Sequence, residues 1–176
     1  MFDDHWVINP GHMQVDWTII EYGKEIERKF LVTDNSYPKE NSIHIRQGFL
    51  TTDAERMVRI RIKGDVAFLT IKSGSFNTVR QEFEYPIPLK DAKKLLDTVC
   101  IKPIIEKIRY RIQAGNLTWE VDEFRGENKG LVIAEVELES ENQEIKIPDW
   151  IGEEVTGNPK YYNIYLVENP YNTWKQ

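Results

Sequence analysis

The sequence predicts an α+β protein: a set of antiparallel strands that carries the chemistry, with a few helices packed beside it. Three observations lead there. Eight segments alternate apolar and polar side chains with period 2, the mark of strands with two unlike faces. One segment, residues 91–99, breaks that period, because Ala92, Leu95, Leu96 and Val99 recur at spacings of three and four, with Pro103 beyond the end. Finally, the polar face of nearly every strand is fully charged, and several strands carry one sign only.

In chain order, the first strand spans residues 25–32, with Glu25, Glu27 and Lys29 on one face and Ile26, Phe30 and Val32 on the other. Side chains two apart on a strand stand about 6 to 7 Å apart. The glutamates can therefore offer oxygens to one hard cation while the lysine reaches an anion bound to it. The same pattern also suits a mixed-charge face in water. Residues 33–41, with Pro38, form a loop. A second strand at 43–51 contains Gly48, which marks a bulge or a close backbone approach. The third, 57–63, sets Arg59, Arg61 and Lys63 against Val58, Ile60 and Ile62. Gly64-Asp65 then turns the chain into a fourth strand at 67–72, where Thr70 and Lys72 oppose Leu69 and Ile71.

After Ser73-Gly74-Ser75, residues 78–86 form a fifth strand with Arg80, Glu82 and Glu84 on one face. Beyond the helix, residues 106–112 place Lys107, Arg109 and Arg111 opposite Ile108, Tyr110 and Ile112. Residues 117–124 set Glu120 and Asp122 against Trp119 and Val121, and residues 131–139 set Glu135, Glu137 and Glu139 against Ala134, Val136 and Leu138. A short helix is expected at 148–155, and Asn158-Pro159 is expected to cap and open a final helix reaching residue 167. Residues 1–22 read as an extension with Trp6, Trp17 and an Asn9-Pro10-Gly11 turn but no readable chemistry, and Gly11-His12-Met13 resembles a cloning scar. Residues 23–176 remain as one domain.

Composition bounds the function. With 176 residues, 40% of them hydrophobic, the chain can bury a substantial core. A net charge of −6 argues against a general nucleic-acid binder. Cys100 stands alone, so no internal disulfide forms, and without Cys/His spacing for zinc or iron any metal would be oxygen-bound. The apolar runs fall short of the roughly 18 residues of a membrane span, and the first residues lack a basic leader, so a cytoplasmic protein without membrane or nucleic-acid partners is expected.

The charged faces discriminate further. A wet sheet face is usually filled with neutral polar residues and scattered charges, not with single-signed sets such as Arg59/Arg61/Lys63 or Glu135/Glu137/Glu139. A sandwich would leave these strands in water, whereas a closed barrel would turn them into a lumen. There, arginine forks and lysines match phosphate oxygens, and carboxylates match Mg²⁺ or Mn²⁺. Spacing alone leaves both arrangements open.

The run Glu25-Ile26-Glu27-Arg28-Lys29-Phe30-Leu31-Val32 resembles the E-x-E-x-K motif of the CYTH superfamily, the triphosphate tunnel metalloenzymes. The resemblance continues in order through Arg46-Gln47-Gly48-Phe49-Leu50, Arg59-Ile60-Arg61, Thr70-Ile71-Lys72 and Arg80-Gln81-Glu82-Phe83-Glu84. It ends with Glu106-Lys107-Ile108-Arg109-Tyr110, Trp119-Glu120-Val121-Asp122, Ala134-Glu135-Val136-Glu137-Leu138, Val155-Thr156-Gly157 and Tyr161-Tyr162-Asn163. It implies an eight-stranded antiparallel β-barrel, a tunnel with helices packed outside. By the same resemblance Lys29, Arg59, Arg61, Lys72, Arg80, Lys107 and Arg109 would contact phosphates. Glu25, Glu27, Glu135 and Glu137 would hold Mg²⁺ or Mn²⁺, with Asp122 as a further ligand. Lys29, Glu27 and Glu82 would take part in the chemistry.

Short bacterial members with this motif look like inorganic triphosphatases, so the implied reaction is metal-dependent hydrolysis of tripolyphosphate to pyrophosphate and phosphate. The alternatives on the same fold are a nucleoside or thiamine triphosphatase or a class IV-type adenylyl cyclase, with Trp6, Trp17 or Trp150 stacking at a mouth. A different class of alternative is a non-catalytic polyphosphate-binding module. The partner in each case is a triphosphate-containing small molecule. Family members often form homodimers, although no stripe in this sequence marks an interface. Two departures stand out. Phe49 occupies the place of a tyrosine whose hydroxyl, in such members, pairs with the motif lysine and is assigned as proton acceptor, and a long segment precedes the motif.

Overall fold

The computed structural model describes residues 26–34, 36–53, 56–73, 81–140 and 142–174; Glu25, Arg80 and residues 1–22, with Trp6 and Trp17, lie outside them. The described strands form one antiparallel sheet. They are β1 (Ile26–Val32), β2 (Ser42–Phe49), β3 (Arg56–Lys63), β4 (Val66–Ser73), β5 (Gln81–Pro86), β6 (Ile105–Ala114), β7 (Leu117–Phe124), β8 (Val132–Leu138) and β9 (Ile151–Glu154). Their order across the sheet is β5-β4-β3-β2-β6-β7-β8-β1-β9. Two hairpin-linked runs, β2 to β5 and β6 to β8, join through the β2–β6 pair, and β1 returns to lie between β8 and β9.

The registers keep the charged positions on one face. Lys29 lies opposite Glu135, Glu27 opposite Glu137, Arg59 opposite Thr70, Lys72 opposite Glu82, and Arg109 opposite Asp122. A one-residue slip anywhere would bury charge in the apolar layer, so the alternation fixes the parity of the pairing. The opposite face is apolar. Phe30, Trp119, Val121, Ala134, Val136 and Ile151 form one cluster there, and Ile60, Ile62, Ala67, Ala92 and Leu96 form another beneath helix α1 (Leu89–Thr98). Gly48 lets α1 and the residues just after it approach, because a Cβ there would stand 3.1 Å from Leu96 Cδ2 and 2.7 Å from the Cβ of Cys100.

The sheet curls around its charged face. Side chains from both halves, Lys72 and Glu82 on one side and Glu27 and Lys29 on the other, line a single cavity of about 740 Å³. This excludes the solvated-face arrangement. Among the described residues no ladder joins β5 to β9, so the channel is not closed by a ring of hydrogen bonds.

At one end the cavity-facing positions become apolar. Phe49, Ile105, Phe124 and Ile133 pack there with Leu31, Met57 and Leu131 against Leu166 and Val167 of α2 (Asn163–Glu168), which closes that end. The opposite mouth is rimmed by Lys63, Arg111, Asn116, Thr118 and Glu139.

Three expectations change. The sheet has nine strands, because residues 151–154 form β9 where a short helix was expected. Ile151 and Glu154 pair with Val32 and Phe30, and Gly152 fits where a Cβ would stand 2.8 Å from Thr33 Cγ2. The open edge of β1 is thus satisfied by pairing, which outweighs the local helical spacing. The final helix is also shorter than expected. Asn158 caps a single 3₁₀ turn (Pro159–Tyr161), accepting from the Lys160 N–H at 3.2 Å, and α2 begins only at Asn163. Trp150 is buried against Trp119 and Tyr37 on the apolar face, with ring centroids 5.8 Å from each, so it stands at no mouth of the cavity. No helix among the described residues is long and apolar enough to cross a membrane.

Candidate active site

Two ion-pair networks face each other across the cavity. On the β3–β5 wall, Arg61 Nη2 donates to Glu84 Oε2 at 3.0 Å, and Thr70 Oγ1 donates to the same oxygen at 2.8 Å. Arg59 Nη2 lies 3.4 Å from Glu84 and 3.7 Å from Glu82, while Lys72 Nζ is 2.6 Å from Glu82. Burial, with the adjacent Arg61 charge, brings the Arg59 guanidinium down to about 10, and Glu82 and Glu84 oppose that fall. It therefore remains a cation at neutral pH.

The second network spans β1, β6, β7 and β8. Lys29 Nζ donates to both Glu27 and Glu135. Burial pulls this ammonium down, but the two carboxylates outweigh it and the net shift is upward. Arg109 donates from Nε to Asp122 Oδ1 at 2.7 Å and from Nη2 to Oδ2 at 2.6 Å, and it also reaches Glu120 and, at 2.9 Å, Glu135. Such a two-point fork is the strongest protein ion pair. Lys107 Nζ lies 2.5 Å from Asp122 Oδ2.

Asp122 is completely buried, and burial alone would raise it, yet Lys107 and Arg109 pull it down to about 2. At Lys107 burial outweighs the pull of Asp122, the neighbouring Arg109 charge adds to the fall, and the pKa is lowered. Glu135 is raised by burial and lowered further by Lys29, with a net fall. Both carboxylates are therefore ionised. Between the two networks β2 presents a neutral strip, Ile45 and Gln47, each 2% exposed.

The structure brings Lys29, Arg59, Arg61, Lys72, Lys107, Arg109, Glu27, Glu82, Glu135 and Glu137 to one cavity. Asp122 lies behind its wall, with both oxygens given to Lys107 and Arg109. Glu25 and Arg80 fall outside the described residues. Phe49 is buried in the apolar end, and the motif lysine it would face as a tyrosine is held by Glu27 and Glu135 instead. Glu84, Glu120, Gln47 and Asn163 also line the cavity, although no role had been given to them. For the two glutamates the signal was their alternation, whereas an amide offers no such contrast.

Among the described residues no three carboxylates are gathered ready for a metal. The donor set nevertheless fits a hard cation. Glu27 and Glu137 lie directly opposite on β1 and β8, so a cation between them would take carboxylate oxygens from both strands.

The CYTH domain model matches residues 23–163. The chain is 50% identical over 155 residues to an inorganic triphosphatase of Acetivibrio thermocellus, covering 88% of this chain and 99% of that protein. It is 37% identical over 144 residues to an inorganic triphosphatase of Nitrosomonas europaea, covering 79% and 93%. A crystal structure of an inorganic triphosphatase superposes with a TM-score of 0.67 at 33% identity, covering 84% of this chain and 96% of that one. With its charged face curled inward and its motif strands in register around one cavity, the chain belongs to the CYTH domain family.

Proposed function

We propose that the cavity hydrolyses inorganic tripolyphosphate to pyrophosphate and phosphate, with Mg²⁺ or Mn²⁺. The observation that carries this reading is the cross-strand pairing of the cavity's cations with its own carboxylates. Such a cavity is balanced while empty. A phosphate chain that displaces those carboxylates gains Lys29, Arg59, Arg61, Lys72, Lys107 and Arg109, and Glu27, Glu135 and Glu137 are the residues that would hold the cation. The inorganic triphosphatase relatives support the same substrate. Arg80 and Glu25, one strand period before Glu82 and Glu27, extend the two sets by sequence.

Phosphoryl transfer has a loose transition state, so catalysis is mostly positioning and charge neutralisation. Bound at the glutamates, the divalent ion would supply further neutralisation and acidify a water. Arg59, Arg61 and Lys72 on one wall, with Lys107 and Arg109 on the other, hold the chain extended and meet charge that builds on its oxygens. Asp122 keeps Lys107 and Arg109 aimed inward. Lys29 passes from Glu135 to a phosphate oxygen, and Glu27 or Glu82 accepts the proton of the attacking water. In the free protein Lys29 is positioned by Glu27 and Glu135, so Phe49 in place of a tyrosine does not leave it without partners.

The test is phosphate release from tripolyphosphate, ATP and pyrophosphate in parallel, with Mg²⁺, with Mn²⁺ and with chelator. Chelator-sensitive turnover of tripolyphosphate alone is expected. A preference for ATP would move the assignment to a nucleoside triphosphate. A melting temperature raised by tripolyphosphate without turnover would make the protein a binding module.

A further inference from the structure

Among the described residues, the buried side-chain polar atoms without a hydrogen-bond partner are Gln47 Nε2, Arg59 Nε, Arg61 Nε, Asn163 Oδ1 and Trp119 Nε1. All but the Trp119 indole belong to side chains that line the cavity. Buried polar atoms are almost always paired, so their gathering at one cavity marks a place where a ligand completes them. The guanidinium nitrogens belong to the phosphate site already described, whereas the two amides have had no function.

Gln47 sits on the neutral β2 strip, opposite Arg61 on β3 and Ile105 on β6, with Ile45 and Phe49 on either side along its own face. At 2% exposure it is cut off from bulk water. Asn163 is the first residue of α2, whose Leu166 and Val167 pack into the closed end, so its amide belongs to the floor of the cavity.

We propose that Gln47 and Asn163 form a neutral amide subsite at the closed end, receiving the inward phosphate of tripolyphosphate and the water that attacks it; this rests on the triphosphatase reading above. The unpaired atoms divide by chemistry. Gln47 Nε2 and the Nε of Arg59 and Arg61 are donors, matching ionised phosphate oxygens, which only accept. Asn163 Oδ1 is an acceptor that would repel those oxygens and requires a hydrogen, which water provides. The water oxygen then bonds to the inward phosphorus as the bond to the bridging oxygen breaks. That electron pair leaves with pyrophosphate, a proton passes to a cavity glutamate, and the inward product is phosphate.

The full-length chain with Mg²⁺ tests this with two variants, Gln47→Leu and Asn163→Ala. Titration with an imido-bridged tripolyphosphate analogue gives Kd, steady-state phosphate release gives kcat and KM, and melting of the free protein reports any structural role. Gln47→Leu is expected to raise Kd by about tenfold to a hundredfold, the weight of one hydrogen bond to a charged group. Its free melting temperature should hold or rise, because an unsatisfied donor has been replaced by apolar atoms. Asn163→Ala is expected to lose about tenfold or more in kcat with little change in Kd.

An unchanged Kd in Gln47→Leu, or Asn163→Ala turning over like the parent or failing only in Kd, overturns the subsite. If Gln47→Leu does not fold, Gln47→Glu keeps the shape and sets a carboxylate against the phosphate, so its Kd must rise. Should the parent protein neither bind nor hydrolyse tripolyphosphate, the triphosphatase reading fails and takes the subsite with it. Parent turnover with indifferent variants removes the subsite alone.

Discussion

Asp122 shows how one side chain can hold a site without facing its ligand. It is buried beneath Lys107 and Arg109 and gives an oxygen to each. Replacing it with alanine leaves the buried Lys107 without its ion-pair partner beside an Arg109 that keeps only Glu120 and Glu135, and about 3 to 5 kcal/mol of stability should be lost, as read by urea unfolding. Its pKa is about 2 when folded, against roughly 3.9 in an unfolded chain, so its contribution is complete above the unfolded value and disappears as pH falls toward the folded one. Glu135, also lowered, adds to the same acid-side loss. Urea stability measured against pH should therefore be flat near neutrality, fall between about pH 4 and pH 2, and lose much of that fall in Asp122→Ala.

Lys29 and Glu137 test the chemistry. Alanine at either should abolish metal-dependent turnover, and circular dichroism should show the fold intact. These charges were legible in the sequence because strict alternation separates them from apolar neighbours. Asp122 as a keeper of cations was not, because the partner of a carboxylate depends on cross-strand register, which parity does not supply. Gln47 and Asn163 escaped for a different reason. A neutral amide on a strand or at a helix start looks ordinary until its unpaired atom is seen to belong to the cavity lining.

At the scale of elements, eight strands and helix α1 followed from periodicity, while β9 and the length of α2 did not. Both are short and are fixed by what they cover: β9 completes the edge of β1, and α2 seals an apolar end. Val155 N–H donates to the Lys29 carbonyl at 2.8 Å, and the Lys29 N–H donates to Thr156 Oγ1 at 2.9 Å, so the segment after β9 anchors the backbone of the motif lysine itself. The Arg28–Glu154 pair, at 2.5 Å, ties the same two strands from outside.

Gly48 was legible as a point of close approach, and the structure names its neighbour as α1. A Gly48→Ala substitution forces a methyl group against Cys100 and Leu96 and should cost about 1 to 3 kcal/mol, visible as a lower melting temperature. Leu166→Ala, which removes a fully buried side chain from the closed end, should cost about 2 to 5 kcal/mol.

For the molecule as a whole, a net charge of −6 hid the property that matters, the sorting of charge by strand and by face. Curling gathers both signs around one cavity, where each restrains the other. The inward orientation needed the structure, because a sandwich and a channel share the same alternation. Adding chelator should stop turnover without unfolding the protein, since the described fold is held by its two-faced sheet and apolar clusters.

The seal made by α2 also orders the departures. A substrate that enters by the far mouth lies in a blind alley, and with the inward phosphate cleaved as proposed above, pyrophosphate would stand between phosphate and the exit. Phosphate must then leave last, from a site that only the free enzyme offers. It should compete directly with tripolyphosphate in initial-rate measurements, while pyrophosphate should depress the maximal rate as well. The short helix at the closed end would thereby set the kinetic grammar of the whole reaction.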